Sequence, residues 1–401
     1  MSSYYSQIHE EGVKVLVLLK NGMCWQAGEF KDFDVLVKDG QIDRLLARSG
    51  AEKPPEEDQT LEIVDLEGKK IYPGFIDAHT HAGIFEEKAG GFAGNDVNET
   101  SSPTTAGVRA IDALNPFDPG IEEARNAGYT TICVLPGSAN VIGGEGVVVK
   151  TAGTVVDRMQ VKTPKRILKM AFGRNPQWTW SAQKKAPYTR LSVAALLREK
   201  LMKAKDYMEK DEKDREYDYD MEILADLLND KATARIHVAN LEDIETITRV
   251  AAEFQFNYTL EHATALHLNP EFAAGLDAPV ILGPLNVAGK SFQTYDLTFN
   301  SVRILHEAGL ELSMMTDAPV IPLNLGIIQM WLIDRLRIPR KEIVEMFTIN
   351  PARVLGIDES TGSIEEGKQA DFAVFDGDCF DAASRVTDTF IAGKRVGGDC
   401  E

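Results

Sequence analysis

Between residues 73 and 355 short apolar runs alternate with helix-periodic stretches, and no other pattern restricts the folding of this chain as much. The runs are Ile76–His81, Thr130–Leu135, Gly146–Thr151, Arg166–Phe172, Ala234–Val238, Asn257–His262, Pro279–Leu282 and Leu310–Thr316. Each is short, mostly apolar and followed by a polar or Gly-rich loop, as expected of a parallel strand covered on both faces. Helical periodicity lies between most of them, in Ile121–Ala127, Ser192–Tyr207, Met221–Leu228, Leu241–Phe254, Ser301–Ala308 and Lys341–Phe347. Eight such units over about 280 residues predict an α/β fold, a TIM-like (β/α)8 barrel with its site at the C-terminal strand ends. A doubly wound sheet is the alternative, weakened because no GxGxxG follows the first strand.

Both ends of the chain have a different character. Val13–Leu19, Asp34–Lys38, Gln41–Leu46, Leu61–Leu66 and Lys69–Tyr72 alternate with period 2, and so do Gly362–Ile364, Phe372–Phe375, Thr389–Ile391 and Lys394–Val396. Such runs read as half-exposed strands. The expected organisation is a barrel over residues 73–355 and a small β-sandwich domain assembled from residues 1–72 and 356–401. Between Gly173 and Thr233 the charge-dense run Lys203–Asp220 reads as part of a solvated helical pair, or as a lid over the barrel mouth.

Composition restricts partners. Lys and Arg number 43 against 62 Asp and Glu, a formal charge of −19. Such a surface repels phosphate backbones and acidic lipids, which argues against nucleic acid and membrane partners. A homo-oligomer is left open. Cys24, Cys133, Cys379 and Cys400 form no CxxC pair and read as buried inert thiols. The polar start, Met1–Gly12, lacks the apolar core of a secretory signal, so a cytoplasmic protein is expected.

The chemistry resides in the histidines, of which there are seven. His79 and His81 are separated by one residue, so on a strand both imidazoles face the same way. His237 and His262 stand at the ends of two later strands, in Arg235–Ile236–His237 and Leu260–Glu261–His262, and Asp317 follows the last, in Met314–Met315–Thr316–Asp317. A lone strand histidine reads as a core residue. Four of them with an aspartate, at the same end of one barrel, suit a zinc-like divalent ion that keeps a position open for water. Such an ion lowers the pKa of bound water towards about 7. His9, His267 and His306 read as surface residues of a tail, a loop and a helix.

Tyr72–Pro73–Gly74–Phe75–Ile76–Asp77–Ala78–His79–Thr80–His81 resembles the first-strand signature of the metal-dependent amidohydrolase superfamily. Asn350–Pro351–Ala352–Arg353–Val354–Leu355–Gly356, with Gly362–Ser363–Ile364–Glu365–Glu366–Gly367–Lys368–Gln369–Ala370–Asp371, resembles its C-terminal signature. More narrowly the chain is similar to the imidazolonepropionase-related branch, which includes peptidases that release an amino acid from a dipeptide-like amide. The resemblance implies that His79, His81 and Asp317 hold one zinc ion. In binuclear members His237 and His262 hold a second, bridged by a fourth-strand lysine carboxylated by CO2. Lys169 fits that position, with Lys150 as second choice and a plain Lys–carboxylate pair as the alternative. In mononuclear members His237 ligates the single ion and His262 contacts substrate. Asp317, able to touch both metal and water, is the expected proton shuttle and catalytic residue, with His262 beside it.

The expected reaction is hydrolysis of a C–N bond in a small cyclic amide or in a dipeptide-like or N-acyl amino acid. The alternatives are imidazolonepropionase proper, although Val-Ala-Asn-Leu after His237 departs from that enzyme's acidic continuation, a ring deaminase, and a metal-free barrel serving as an assembly protein. For substrate binding, Asn140 in the loop Gly137–Gly146 is one candidate, beside Ser138 and backbone N–H groups that glycines bring close. Arg174, Tyr188 and Arg190, in and before the basic stretch Gln183–Arg190, are candidates for holding a substrate carboxylate. Asn286 and Lys290 follow the seventh strand without an assignable role.

Overall fold

The computed structural model describes residues 16–49, 61–87, 95–287 and 291–398. Val13–Val15, His9, Lys290 and Cys400 lie outside the described residues. The first end supplies β1 (Leu16–Gln26), β2 (Glu29–Lys38), β3 (Gln41–Ala47), β4 (Leu61–Asp65) and β5 (Lys70–Pro73). The middle supplies β6 (Phe75–Thr80), β7 (Tyr129–Val134), β8 (Ile142–Glu145), β9 (Val147–Lys150), β10 (Arg166–Ala171), β11 (Ala232–Val238), β12 (Tyr258–His262), β13 (Val280–Leu282) and β14 (Leu312–Met314). The second end supplies β15 (Phe372–Phe375), β16 (Val386–Ile391) and β17 (Lys394–Gly397).

Both ends share one sheet, in the order β17-β16-β15-β5-β1-β2-β3, with β4 also paired to β1. The seam is the antiparallel pair of β5 and β15, in register from Lys70–Phe375 to Pro73–Phe372. Residues two apart in these strands (Val17 and Leu19, Val35 and Val37, Phe372 and Val374) fall on one face and pack into a common core with Ile71 and Phe390. Gly362–Ile364, predicted as a strand, is irregular. Gly362 sits at φ +92°, which a strand does not accommodate.

The middle forms a three-stranded sheet, β6-β7-β9, and a six-stranded one, β14-β13-β12-β11-β10-β8. Neighbours within β10 to β14 are parallel, as are β6 and β7. The predicted third parallel strand, Gly146–Thr151, is corrected. β9 runs antiparallel to β7, and β8, directly before it, runs antiparallel to β10. Apolar runs identify a buried strand but not its direction, and the supposed loop before Gly146 is itself strand. β14 is shorter than the predicted run because Thr316 gives its N–H to the Asp77 carboxylate at 2.8 Å, and its hydroxyl to the same oxygen at 2.7 Å. With Asp317 N–H on His79 O (3.2 Å) and His81 N–H on Ala318 O (2.7 Å), these bonds fasten the segment after β14 to β6.

The stretch read as a helical pair holds three α-helices, Arg174–Ala182, Arg190–Glu209 and Tyr219–Leu228. The second and third start where Thr189 and Asp218 cap the free N–H groups of the first turn. Leu197, Leu201, Leu224 and Leu227 are buried in the core, while most of the charge-dense run between them, Lys203–Asp220, is exposed. No described helix is long and apolar enough to cross a membrane.

Candidate metal centre

The histidines converge. β6 carries His79 near its end, with His81 directly after it, β11 carries His237, β12 ends on His262, and Asp317 follows β14. The Nε2 atoms of His79 and His81 lie 3.4 and 3.1 Å from Asp317 Oδ1, so one ion can reach all three groups. The rings of His79 and His262 are 5.2 Å apart, centre to centre, and those of His262 and His237 4.2 Å. Lys169, fully buried on β10, places Nζ 2.9 Å from His79 Nε2.

Three imidazoles are held from behind through Nδ1. His79 Nδ1 donates to Glu261 Oε2 at 2.8 Å, His81 Nδ1 to Leu135 O at 2.6 Å, and His262 Nδ1 to Gly283 O at 2.9 Å. That fixes the tautomer and turns the Nε2 lone pairs inward, the arrangement an outer shell gives to metal ligands. His262 Nε2 and Asp317 Oδ1 are buried without a hydrogen-bond partner among the described residues, which is costly unless something binds there. Burial pushes the pKa values of His79, His237 and His262 down, leaving neutral imidazoles able to donate lone pairs. Burial also lowers the Lys169 ammonium to about 8, so a fraction is free amine near neutrality. At Asp317 burial acts upward, but the imidazoles of His262 and His81 outweigh it and hold the carboxyl below its usual range.

Backbone geometry marks the same place. His262, Ala263 and Asp317 have φ of +69°, +45° and +55°. Left-handed non-glycine residues cost about 1 kcal/mol or more each and persist where surrounding structure holds them.

Residues that single-motif reasoning passed over support this group. Arg235, 1% exposed, meets Glu261, fully buried, through Nε at 2.5 Å and Nη2 at 3.1 Å, while Nη2 also donates to Ala78 O. The signal was present, since a charged residue inside an apolar strand must be paired. Asn175 and Gln293 both approach His237 Nε2 with amide nitrogens, at 3.0 and 3.2 Å, and Asn175 also donates to Ser138 Oγ at 2.7 Å. A cavity of about 390 Å³ opens over the group, lined by His81, His237, His262, Asp317, Ser138 and Asn175 among others.

The expected substrate residues lie elsewhere. Asn140 is buried and committed, giving its amide to Glu99 O and Thr105 Oγ1 while its oxygen accepts from Trp180 Nε1. Arg174 stacks on Phe292 at 4.2 Å, Arg190 pairs with Glu242 and Asp243, and Tyr188 is exposed. None of these four lines the histidine cavity. Lys150, the second choice for a bridging lysine, is bound to Asp371 and Thr131. Asn286 keeps a buried Oδ1 without a partner among the described residues. His267 is buried, with Nδ1 on Thr264 O, not a surface residue.

Residues 71–396 match the Amidohydrolase family. A solved structure of an amidohydrolase from Thermotoga maritima MSB8 superposes with a TM-score of 0.88 at 37% identity, over 96% of this chain and 100% of that one. A beta-aspartyl dipeptidase from Fervidobacterium islandicum AW-1, crystallised with a beta-Asp-Leu dipeptide, has a TM-score of 0.55 at 14% identity, over 96% of this chain and 97% of its own, a likeness of fold alone. Amidohydrolase tasK of Hapsidospora irregularis is 28% identical over 93% of this chain, which spans 40% of that protein's length.

Proposed function

We propose, from the premise that this chain belongs to the amidohydrolase family, that it is a metal-dependent hydrolase of a C–N bond in a small cyclic amide or in a dipeptide-like or N-acyl amino acid. The observation that carries the reading is the inward-facing set of His79, His81, His262 and Asp317, with orphaned Nε2 and Oδ1 atoms at its centre. Neutral imidazoles and a carboxylate fit zinc. His79, His81 and Asp317 would hold one ion, and Lys169, once carboxylated, would join His237 and His262 in holding a second. A divalent ion bound there supplies Lewis acidity, polarising a carbonyl and making water acidic enough to ionise near neutrality.

The chain's own residues account for the remaining steps. Asp317, an acceptor held ionised, takes the proton from attacking water and returns it to the departing nitrogen. His262 Nε2, with its ring oriented by Gly283 O, is available to metal or substrate. The cavity of about 390 Å³ suits a small ligand. The two middle sheets are read as one barrel, because β8 and β9 form a continuous segment pairing on both sides and backbone bonds connect β6 to the segment after β14. Convergence of all five residues supports an enzyme over a metal-free assembly protein.

The test is metal analysis of purified protein together with Asp317→Asn. One or two equivalents of metal, and a folded variant without turnover on a panel of N-acyl amino acids, dipeptides and cyclic amides, are expected. Less than one equivalent, with no activity restored by zinc or manganese, contradicts the proposal.

A further inference from the structure

A second cavity, of about 660 Å³, shares no described lining residue with the histidine cavity. It lies between the helices Arg190–Glu209 and Leu241–Phe254, with the start of Arg174–Ala182 at one end. Its charged lining is Arg174, Arg190, Arg198 and Arg249 against Glu242 and Asp243. Helical spacing explains the concentration. Residues 190, 194 and 198 share one face of the first helix, and 242, 246 and 249 share the facing side of the second.

Two of these cations are already satisfied. Arg190 holds Glu242 at 2.7 Å and Asp243 at 3.0 Å, and Arg198 holds Glu253 at 2.7 Å. Arg174 and Arg249 make no direct ion pair with a carboxylate among the described residues, although the Arg174 charge acts on Asp243 from a distance. Arg249 donates only to Thr246 Oγ1, at 3.3 Å, and Arg174 to Gln177 Oε1, at 3.4 Å. Arg174 Nε is, moreover, buried with no hydrogen-bond partner among the described residues, while its guanidinium stacks on Phe292 at 4.2 Å. On a chain of net charge −19, four guanidinium groups set against Glu242, Asp243 and the Glu253 partner of Arg198 leave a local excess of positive charge, which favours anions.

We propose that this arginine-lined cleft is a binding site for a small oxyanion-bearing ligand, a phosphate ester or a polycarboxylate, held by the unpaired guanidinium groups of Arg174 and Arg249. Guanidinium forks match both oxyanions bidentately. The site is separate from the metal centre, and the inference does not rest on the proposed reaction.

The experiment is isothermal titration of the full, metal-loaded protein with inorganic phosphate and, in a second arm, with citrate. Saturable binding of one equivalent is expected, weakened about tenfold or more in both Arg249→Gln and Arg174→Gln. Arg249 is exposed, so its substitution leaves the fold and the hydrolytic activity intact. Anion binding at the metal would be indifferent to Arg249→Gln, which separates the two sites. Tighter binding of phosphate assigns the ligand to phosphate esters, and tighter binding of citrate to carboxylates. Superimposable isotherms for wild type and Arg249→Gln, or no binding of either anion, overturn the proposal.

Discussion

Replacing Glu261 by Gln tests the support of the proposed metal centre at its most costly point. The Glu261 carboxylate receives His79 Nδ1 at 2.8 Å, Arg235 Nε and Nη2 at 2.5 and 3.1 Å, and Thr259 Oγ1 at 2.5 Å, with no solvent contact. Gln keeps the shape but removes the charge. Arg235, itself 1% exposed, then becomes an uncompensated buried cation, which costs about 3–5 kcal/mol. At roughly 2 cal/mol/K of unfolding entropy per residue, a chain of this length has an unfolding entropy of about 0.8 kcal/mol/K, so Tm should fall by roughly 4–6 °C. His79 loses its ionic anchor at the same time, and metal affinity should fall about 10–100-fold. Urea unfolding of metal-stripped protein isolates the first effect, and metal competition measures the second. The double variant Arg235→Met/Glu261→Met supplies the control. With both charges removed it should be less destabilised than Glu261→Gln alone, because the penalty comes from the abandoned partner. A Glu261→Gln protein within about 1 kcal/mol of wild type, or costs that simply add in the double variant, would refute the reasoning.

Other substitutions separate chemistry from support. Asp317→Asn should retain the fold and lose about 10²–10⁴-fold in kcat, measured on any substrate the panel yields. Lys169→Met should reduce bound metal from two equivalents to one if the bridged pair forms; unchanged stoichiometry in inductively coupled plasma analysis would exclude a bridging role. Tyr188→Ala, at an exposed residue outside the histidine cavity, should leave kcat/KM within about twofold, whereas a large rise in KM would return it to the substrate site. Burial raises the Cys24, Cys133 and Cys379 thiols to about 12. At pH 8 their thiolate fraction is therefore about 10⁻⁴, and iodoacetamide should label none of the three in native protein but all of them in urea, as read by peptide mass spectrometry.

What could be read from the sequence divides according to how local the determining physics is. The strands that lead to His79, His81, His237, His262 and Asp317 were legible, although the last is shorter than expected, because a short apolar run requires only neighbours along the chain. Direction is not local. β8 and β9 look the same in either orientation, and only their partners β7 and β10 make them antiparallel. The same distinction explains the substrate residues. Arg174 and Asn175 are adjacent at the start of one helix, where a step of about 100° sends neighbouring side chains to different faces. Asn175 turns to His237, while Arg174 lines the other cavity and stacks on Phe292, so adjacency in the sequence does not bring both to one place. Glu261 and Arg235 were the opposite case. Two opposite charges inside adjacent apolar strands cannot remain buried unpaired, and the structure adds His79 as a third member. Each charge inside a buried strand must be matched, and here Arg235 and Glu261 match each other across adjacent strands, with His79 Nδ1 donating to the same carboxylate.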